Sequence, residues 1–161
     1  MTSTSLAVAH NGRLPVAQDT RDFSSGVTGV VWRRHQPDAF AQRRSEYPLK
    51  HPAKPFDGNA QTFADGWTFA AGQGVNATFS APVNIHRIRV RSYTAPDPGG
   101  PGLKVFVTHA GGRTHLATTG TDWFDQEFDV DFDSVSMVEL DEYIRSRIYL
   151  VDCLERVEVA A

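Results

Sequence analysis

From Pro55 onward the chain is written in short alternating apolar runs separated by Gly, Pro and Asp: VNATF, IHRIRVRSY, LKVFVTH, THLATT, QEFDVDF, SVSMVEL, RIYLVD and LERVEV. Alternation with a period of two puts every second side chain on one face, so these runs predict eight strands, each with one buried and one wet face. Regular spacing with turn signals between the runs predicts an all-β fold, an antiparallel eight-stranded jelly-roll sandwich of about 105 residues. Leu103, Val105 and Val107 share one face of their run, as do Phe128, Val130 and Phe132, and these are expected in the core. A two-residue Gly111-Gly112 hairpin would pair Val107 with Leu116 on that face. It would also set His109 opposite Thr114 and His115 opposite Thr108, on opposite faces.

Residues 1–51 read differently. They are polar, rich in Arg, Ser and Gly, and hold no sustained period, which predicts an extended N-terminal arm ahead of a sandwich at residues 52–161. One short helix is expected from Pro37 to Tyr47, with proline at its first turn. Leu6, Val8, Phe23, Val30, Val31, Trp32 and Phe40 give the arm more apolar weight than a free tail carries, so it needs a surface to dock on. Other subunits of an assembly, and a homo-oligomer, are the expected partners.

Charge and composition narrow the function classes. The 161 residues carry 16 Lys+Arg against 19 Asp+Glu, a net charge of -3, so no broad basic field exists to hold a nucleic-acid backbone. No segment approaches the ~20 apolar residues that span a bilayer, and the N-terminus lacks the basic and apolar regions of a signal peptide, so synthesis in the cytoplasm is expected. Cys153, the single cysteine, lies in the apolar run IYLVDCL and reads as a small buried side chain.

Catalytic patterns are missing. There is no nucleophile elbow, phosphate loop, dinucleotide glycine pattern, HExxH or paired-cysteine spacing, and the expectation is a protein that is not an enzyme. Glu127, Asp129 and Asp131 form a row on the wet face of their strand, and Arg87, Arg89 and Arg91 form a basic row on theirs. The two rows either pair across neighbouring strands or mate with another copy. Two loops invite a ligand: Tyr93 to Gly102, with Tyr93 and Asp97, and Thr119 to Gln126, with Asp122, Trp123, Phe124 and Asp125. A sugar stacks its C–H face on an aromatic ring while its hydroxyls donate to acidic oxygens. The competing role for Trp123, Phe124 and Trp67 is to plug the end of the sandwich.

PFDGNAQTFADGW, then GVNATFSAPVNIHRIRVRSY, then IYLVDCLERVEV resemble, in order and spacing, the discoidin (coagulation-factor type C) family of the galactose-binding-like superfamily, over about Pro55 to Val159. The resemblance implies a jelly roll that binds carbohydrate, lipid headgroups or proteins through loops at one end and is seldom catalytic. It also implies a structural calcium held by the opening loop, here Asp57, Asn59 and Thr62, and by a glutamate of the last strand. Arg156 stands where relatives often carry that glutamate, with Glu155 and Glu158 nearby. Two outcomes stay open: a calcium held by Asp57, Asn59, Thr62 and Glu158, or an arginine beside Asp57 in its place. The expected function is a non-catalytic interaction module of a larger assembly that binds carbohydrate or a partner surface through its end loops. The alternative is a purely structural virion component, such as a phage decoration, collar or tail protein, with the arm as tether.

Overall fold

The computed structural model describes residues 29–67, 72–97, 99–142 and 145–159. Eight strands make up 69% of them: β1 Gly29–His35, β2 Ala39–Gln42, β3 Ala64–Gly66, β4 Gln73–Thr94, β5 Leu103–His109, β6 Gly112–Thr118, β7 Asp122–Glu142 and β8 Ser146–Val159. All pairings are antiparallel, in the order β1-β8-β4-β7-β5-β6, with β2 on β4 and β3 on β8.

β4 and β7 are the frame. Gln73 to Thr78 of β4 pairs with β2 and with the second half of β7, whereas Arg87 to Thr94 pairs with β8 and with the first half of β7. Between the halves the register shifts three times around Ala81-Pro82-Val83 and Ile85, where proline cannot donate to the ladder and the strand bends instead of ending. β7 bends opposite, at Ser134, whose backbone is left-handed (φ 54°) and whose N–H donates to Asn84 Oδ1. One hydrogen-bonded sheet is thus folded over on itself into two layers, β1-β8-β4-β7 with β3, and β2-β4-β7-β5-β6.

Between the layers lie Val75, Ala77, Ile85, Ile88, Val90, Val105, Val107, Val135, Val138, Leu140, Ile148, Val151 and Cys153, all fully buried. Leu103, Val105 and Val107 are in this core as expected, Phe132 is at its edge, and Phe128 and Val130 pack against it half-buried. Burial pushes the Cys153 thiol pKa far up, so it stays a neutral packing group.

The structure corrects three expectations. A strand, Ala39–Gln42, stands where a helix was expected over Pro37 to Tyr47, because β2 completes the edge of β4 and Asp38 fastens it there through the backbone N–H and hydroxyl of Ser80. The segment read as an arm therefore supplies two strands from Gly29 on; Met1 to Thr28, with Leu6, Val8 and Phe23, lie outside the described residues. The β5–β6 turn is Ala110-Gly111, not Gly111-Gly112. Val107 then faces Thr114, Phe106 faces His115, and Leu116 sits at a bulge. His109 stacks on Phe132 and bonds Thr114, while His115 stacks on Phe106 and bonds Thr118, so the two histidines do stand on opposite faces.

Candidate functional site

Alternation along three neighbouring strands brings the site together. In β4, Ser92 and Thr94 turn inward and are buried, leaving Arg91 and Tyr93 on the outer face. In β7 Phe124 turns inward, so Trp123 faces out directly opposite Tyr93. In β8 Ser146 and Ile148 are buried, Arg147 faces out opposite Tyr93 on its other side, and Tyr149 stands out where the β4–β8 register slips. β3 and its flanks add Phe63 and Trp67.

The five rings form a shelf. Centroids run Phe63 to Tyr149 at 5.0 Å, Tyr149 to Trp123 at 5.3 Å, Trp123 to Tyr93 at 5.1 Å and Tyr93 to Trp67 at 6.0 Å. The Arg147 guanidinium closes the circuit, 4.7 Å from the Trp67 ring and 5.1 Å from Phe63. Arg91 lies 5.1 Å from the Trp123 ring and 5.8 Å from Tyr149, and Arg145 lies 5.6 Å from Trp67. Each ring supports the next, so the shelf is rigid, and cation–π contact holds the guanidinium planes against it. Trp123 is 53% exposed, an unusual position for the largest apolar side chain.

The expected ligand residues fall in different places. Trp123 and Tyr93 are in the shelf. Phe124 packs on the core and stacks on Phe128 at 6.4 Å, the plugging role. Asp122 is exposed and turns its Oδ1 back to the Trp123 N–H at 2.9 Å, and Asp125 forks onto Arg89 at 2.9 Å, so Asp125 is committed to an arginine. Asp97 is exposed in the turn after β4. Phe63, Trp67 as a shelf ring, Tyr149, Arg91 and Arg147 were missed, although RVRSY and RSRIY carry the signal: Arg and Tyr on alternate positions with small or apolar residues between them.

The opening loop is closed on itself. Asp57 Oδ1 accepts the Asn59 N–H at 2.8 Å, Asn59 Oδ1 accepts the Gln61 N–H at 3.0 Å, and the Thr62 hydroxyl donates to the Asn59 carbonyl at 3.2 Å. Gly58, with φ 77°, is where a Cβ would overlap the Arg34 guanidinium, so an arginine does lie against this loop. It is Arg34 of β1, held by Asp152 with Nε to Oδ1 at 2.6 Å, and not Arg156, whose N–H bonds His86. Glu158 is exposed opposite Val30, six residues and about 20 Å along β8 from Asp152. Asp57, Asn59 and Thr62 thus share one loop while Glu158 stands apart from it, and among the described residues no three His, Cys, Asp or Glu side chains cluster.

No family model and no curated protein matches the sequence. Solved structures do match. CpGH89CBM32-4 from Clostridium perfringens, in complex with glcNAc-alpha-1,4-galactose, superposes with a TM-score of 0.51 at 10% identity over 74% of this chain and 91% of that one. The fold is the β-sandwich of CBM32 domains. CBM32-1 of a family 31 glycoside hydrolase from Clostridium perfringens gives a TM-score of 0.52 at 11% identity over 74% of this chain and 96% of its own. Truncated AlyQ, which holds CBM32 and alginate lyase domains, gives 0.51 at 11% identity over 81% of this chain and 35% of that one. At such identities the likeness establishes the fold alone and leaves the ligand to be argued from this chain's own residues.

Proposed function

We propose that this chain is a non-catalytic carbohydrate-binding module whose contact surface is the shelf Phe63–Tyr149–Trp123–Tyr93–Trp67. The observation that carries the reading is the half-exposed Trp123 held between two tilted tyrosine rings. A pyranose ring buries its C–H face on such a surface with little loss of side-chain freedom, because the rings are already fixed. The fold shared with carbohydrate-binding modules supports the same reading. Trp123→Ala tests it: an exposed residue can be removed without unfolding the domain, and saccharide binding followed by calorimetry should vanish while the melting temperature holds. Undiminished binding would remove the shelf from the site.

One observation favours a second reading, an adaptor in a larger assembly such as a phage particle. β1 is an edge strand, pairing only with β8 among the described residues, and Val30 on it is 40% exposed. Addition of a partner strand there would oligomerise the protein, which light scattering reads as mass; a monomer at high concentration counts against self-assembly through this edge.

A further inference from the structure

We infer that the saccharide is anionic, with a carboxylate or sulfate ester set against Arg91 and Arg147; this rests on the carbohydrate reading above. On the outer face of the β4–β7 pair, Arg87, Arg89 and Arg91 stand opposite Asp129, Glu127 and Asp125. Straight pairing would give each arginine one carboxylate. Arg87 does keep Asp129, at 2.7 Å, and also reaches Glu127 at 3.7 Å, but Arg89 passes over Glu127 to the next position, Asp125, at 2.9 Å. Asp125, the residue facing Arg91, is therefore taken, and the basic row outlasts the acidic one at the aromatic end.

Arg91 is left against Trp123 and Tyr149, and its Nε is shielded from solvent without an acceptor. Arg147 is in the same condition between Phe63 and Trp67: its Nε has no hydrogen bond, and the nearest carboxylate oxygen, on Asp65, is 3.7 Å away, too far to accept one. In each of these two guanidinium groups folding has taken one donor, Nε, from water without giving it an acceptor, while the group as a whole stays partly exposed and has no hydrogen-bonded carboxylate. A neutral sugar would cover the rings and add desolvation of these donors, with its hydroxyls as weak acceptors. A carboxylate or sulfate accepts two charge-assisted hydrogen bonds from a planar guanidinium, and the ring beneath fixes that plane. Of the two carboxylates beside the rings, Asp125 is forked by Arg89 and Asp122 turns one oxygen back to the Trp123 N–H. The shelf is rich in donors and poor in acceptors, which is the complement of an acidic saccharide.

The test uses the full chain and matched polymers by calorimetry: polygalacturonate against its methyl ester, dextran sulfate against dextran, and polyglutamate as a polyanion with no sugar. One of the two charged polysaccharides should bind about tenfold or more tighter than its neutral partner and than polyglutamate, the pair identifying carboxylate or sulfate. Arg91→Gln and Arg147→Gln, checked for an unchanged melting temperature, should bring the charged-to-neutral ratio to within about twofold, as expected when a charge-assisted bond is replaced by a neutral one. Equal binding of charged and neutral polymers, abolished by Trp123→Ala, would overturn the anionic ligand and leave the carbohydrate reading standing. Polyglutamate binding as tight as polysaccharide would reduce the effect to plain charge attraction and overturn it too. If no saccharide binds, both readings fall.

Discussion

Glu142→Gln should flatten the dependence of stability on alkaline pH. Glu142 ends β7 and is fully buried, its Oε1 accepting the Ser146 N–H at 2.7 Å and its Oε2 without any partner. The carboxyl fits only because residue 66 is glycine, whose Cβ would overlap it. Burial pushes its pKa from 4.5 up to about 8; the Ser146 N–H pulls the other way and the charge of Asp65 adds to the rise. The folded protein thus keeps a proton that the unfolded chain releases near 4.5. Stability is fully present below that value, declines by about 1.4 kcal/mol per pH unit as pH rises, and levels off above about 8, a total of roughly 5 kcal/mol at most. Glutamine keeps the acceptor for Ser146 and cannot ionise. Urea unfolding from pH 5 to 9 reads the difference: the variant's curve should stay flat through the window in which the parent's falls, whatever constant offset the amide adds. Two parallel curves would refute the argument, since only a titrating group changes the slope.

Four further outcomes follow from the structure. Asp152→Asn leaves Arg34 charged and buried without its carboxylate and should cost about 3–5 kcal/mol by denaturant unfolding, and because the guanidinium already lies against Gly58, millimolar calcium should leave the parent's melting temperature unchanged. Deleting residues 1–50 removes β1, β2 and Arg34 together, so circular dichroism should show loss of the cooperative unfolding transition. Glu139 is held below the usual carboxylate range chiefly by hydrogen bonds from Arg113, opposed by its burial, with Arg43 assisting; its contribution is present above pH 4.5 and lost as pH falls through the lowered value, so Glu139→Gln should be less stable than the parent at pH 7 and should converge with it in acid.

Alternation made the fold class readable, because a residue's face depends only on its own strand. Strand boundaries were harder. Pro82 and Ser134 looked like the ends of strands, yet both lie inside long strands that bend through bulges, since neighbouring ladders hold the chain on either side of the break. AFAQ has helix-forming residues and became a strand because β4 offered an unpaired edge, a tertiary effect outside local propensity. The site was half readable for the same reason. Tyr93 and Trp123 attract notice in segments that read as loops, although they lie on the paired strands β4 and β7, but Tyr149 and Phe63 join them only through the order β3-β8-β4-β7, which no local pattern encodes. The basic and acidic rows were visible individually; that they meet within one chain, and lean so as to leave Arg91 over, depends on side-chain geometry.

The pairing of β1 with β8 also bears on how the chain comes to be folded. Arg34 and Asp152 are 118 residues apart, and β4 and β7 each belong to both layers. Closing a loop of that length is entropically costly before any contact repays it, so the sheet gains little until its last strand arrives. During synthesis β1 waits as an open edge while more than a hundred residues emerge, and neither layer can settle without the other. Folding should accordingly be slow and all-or-none, with the exposed first strand as the point where a neighbouring nascent chain would intrude.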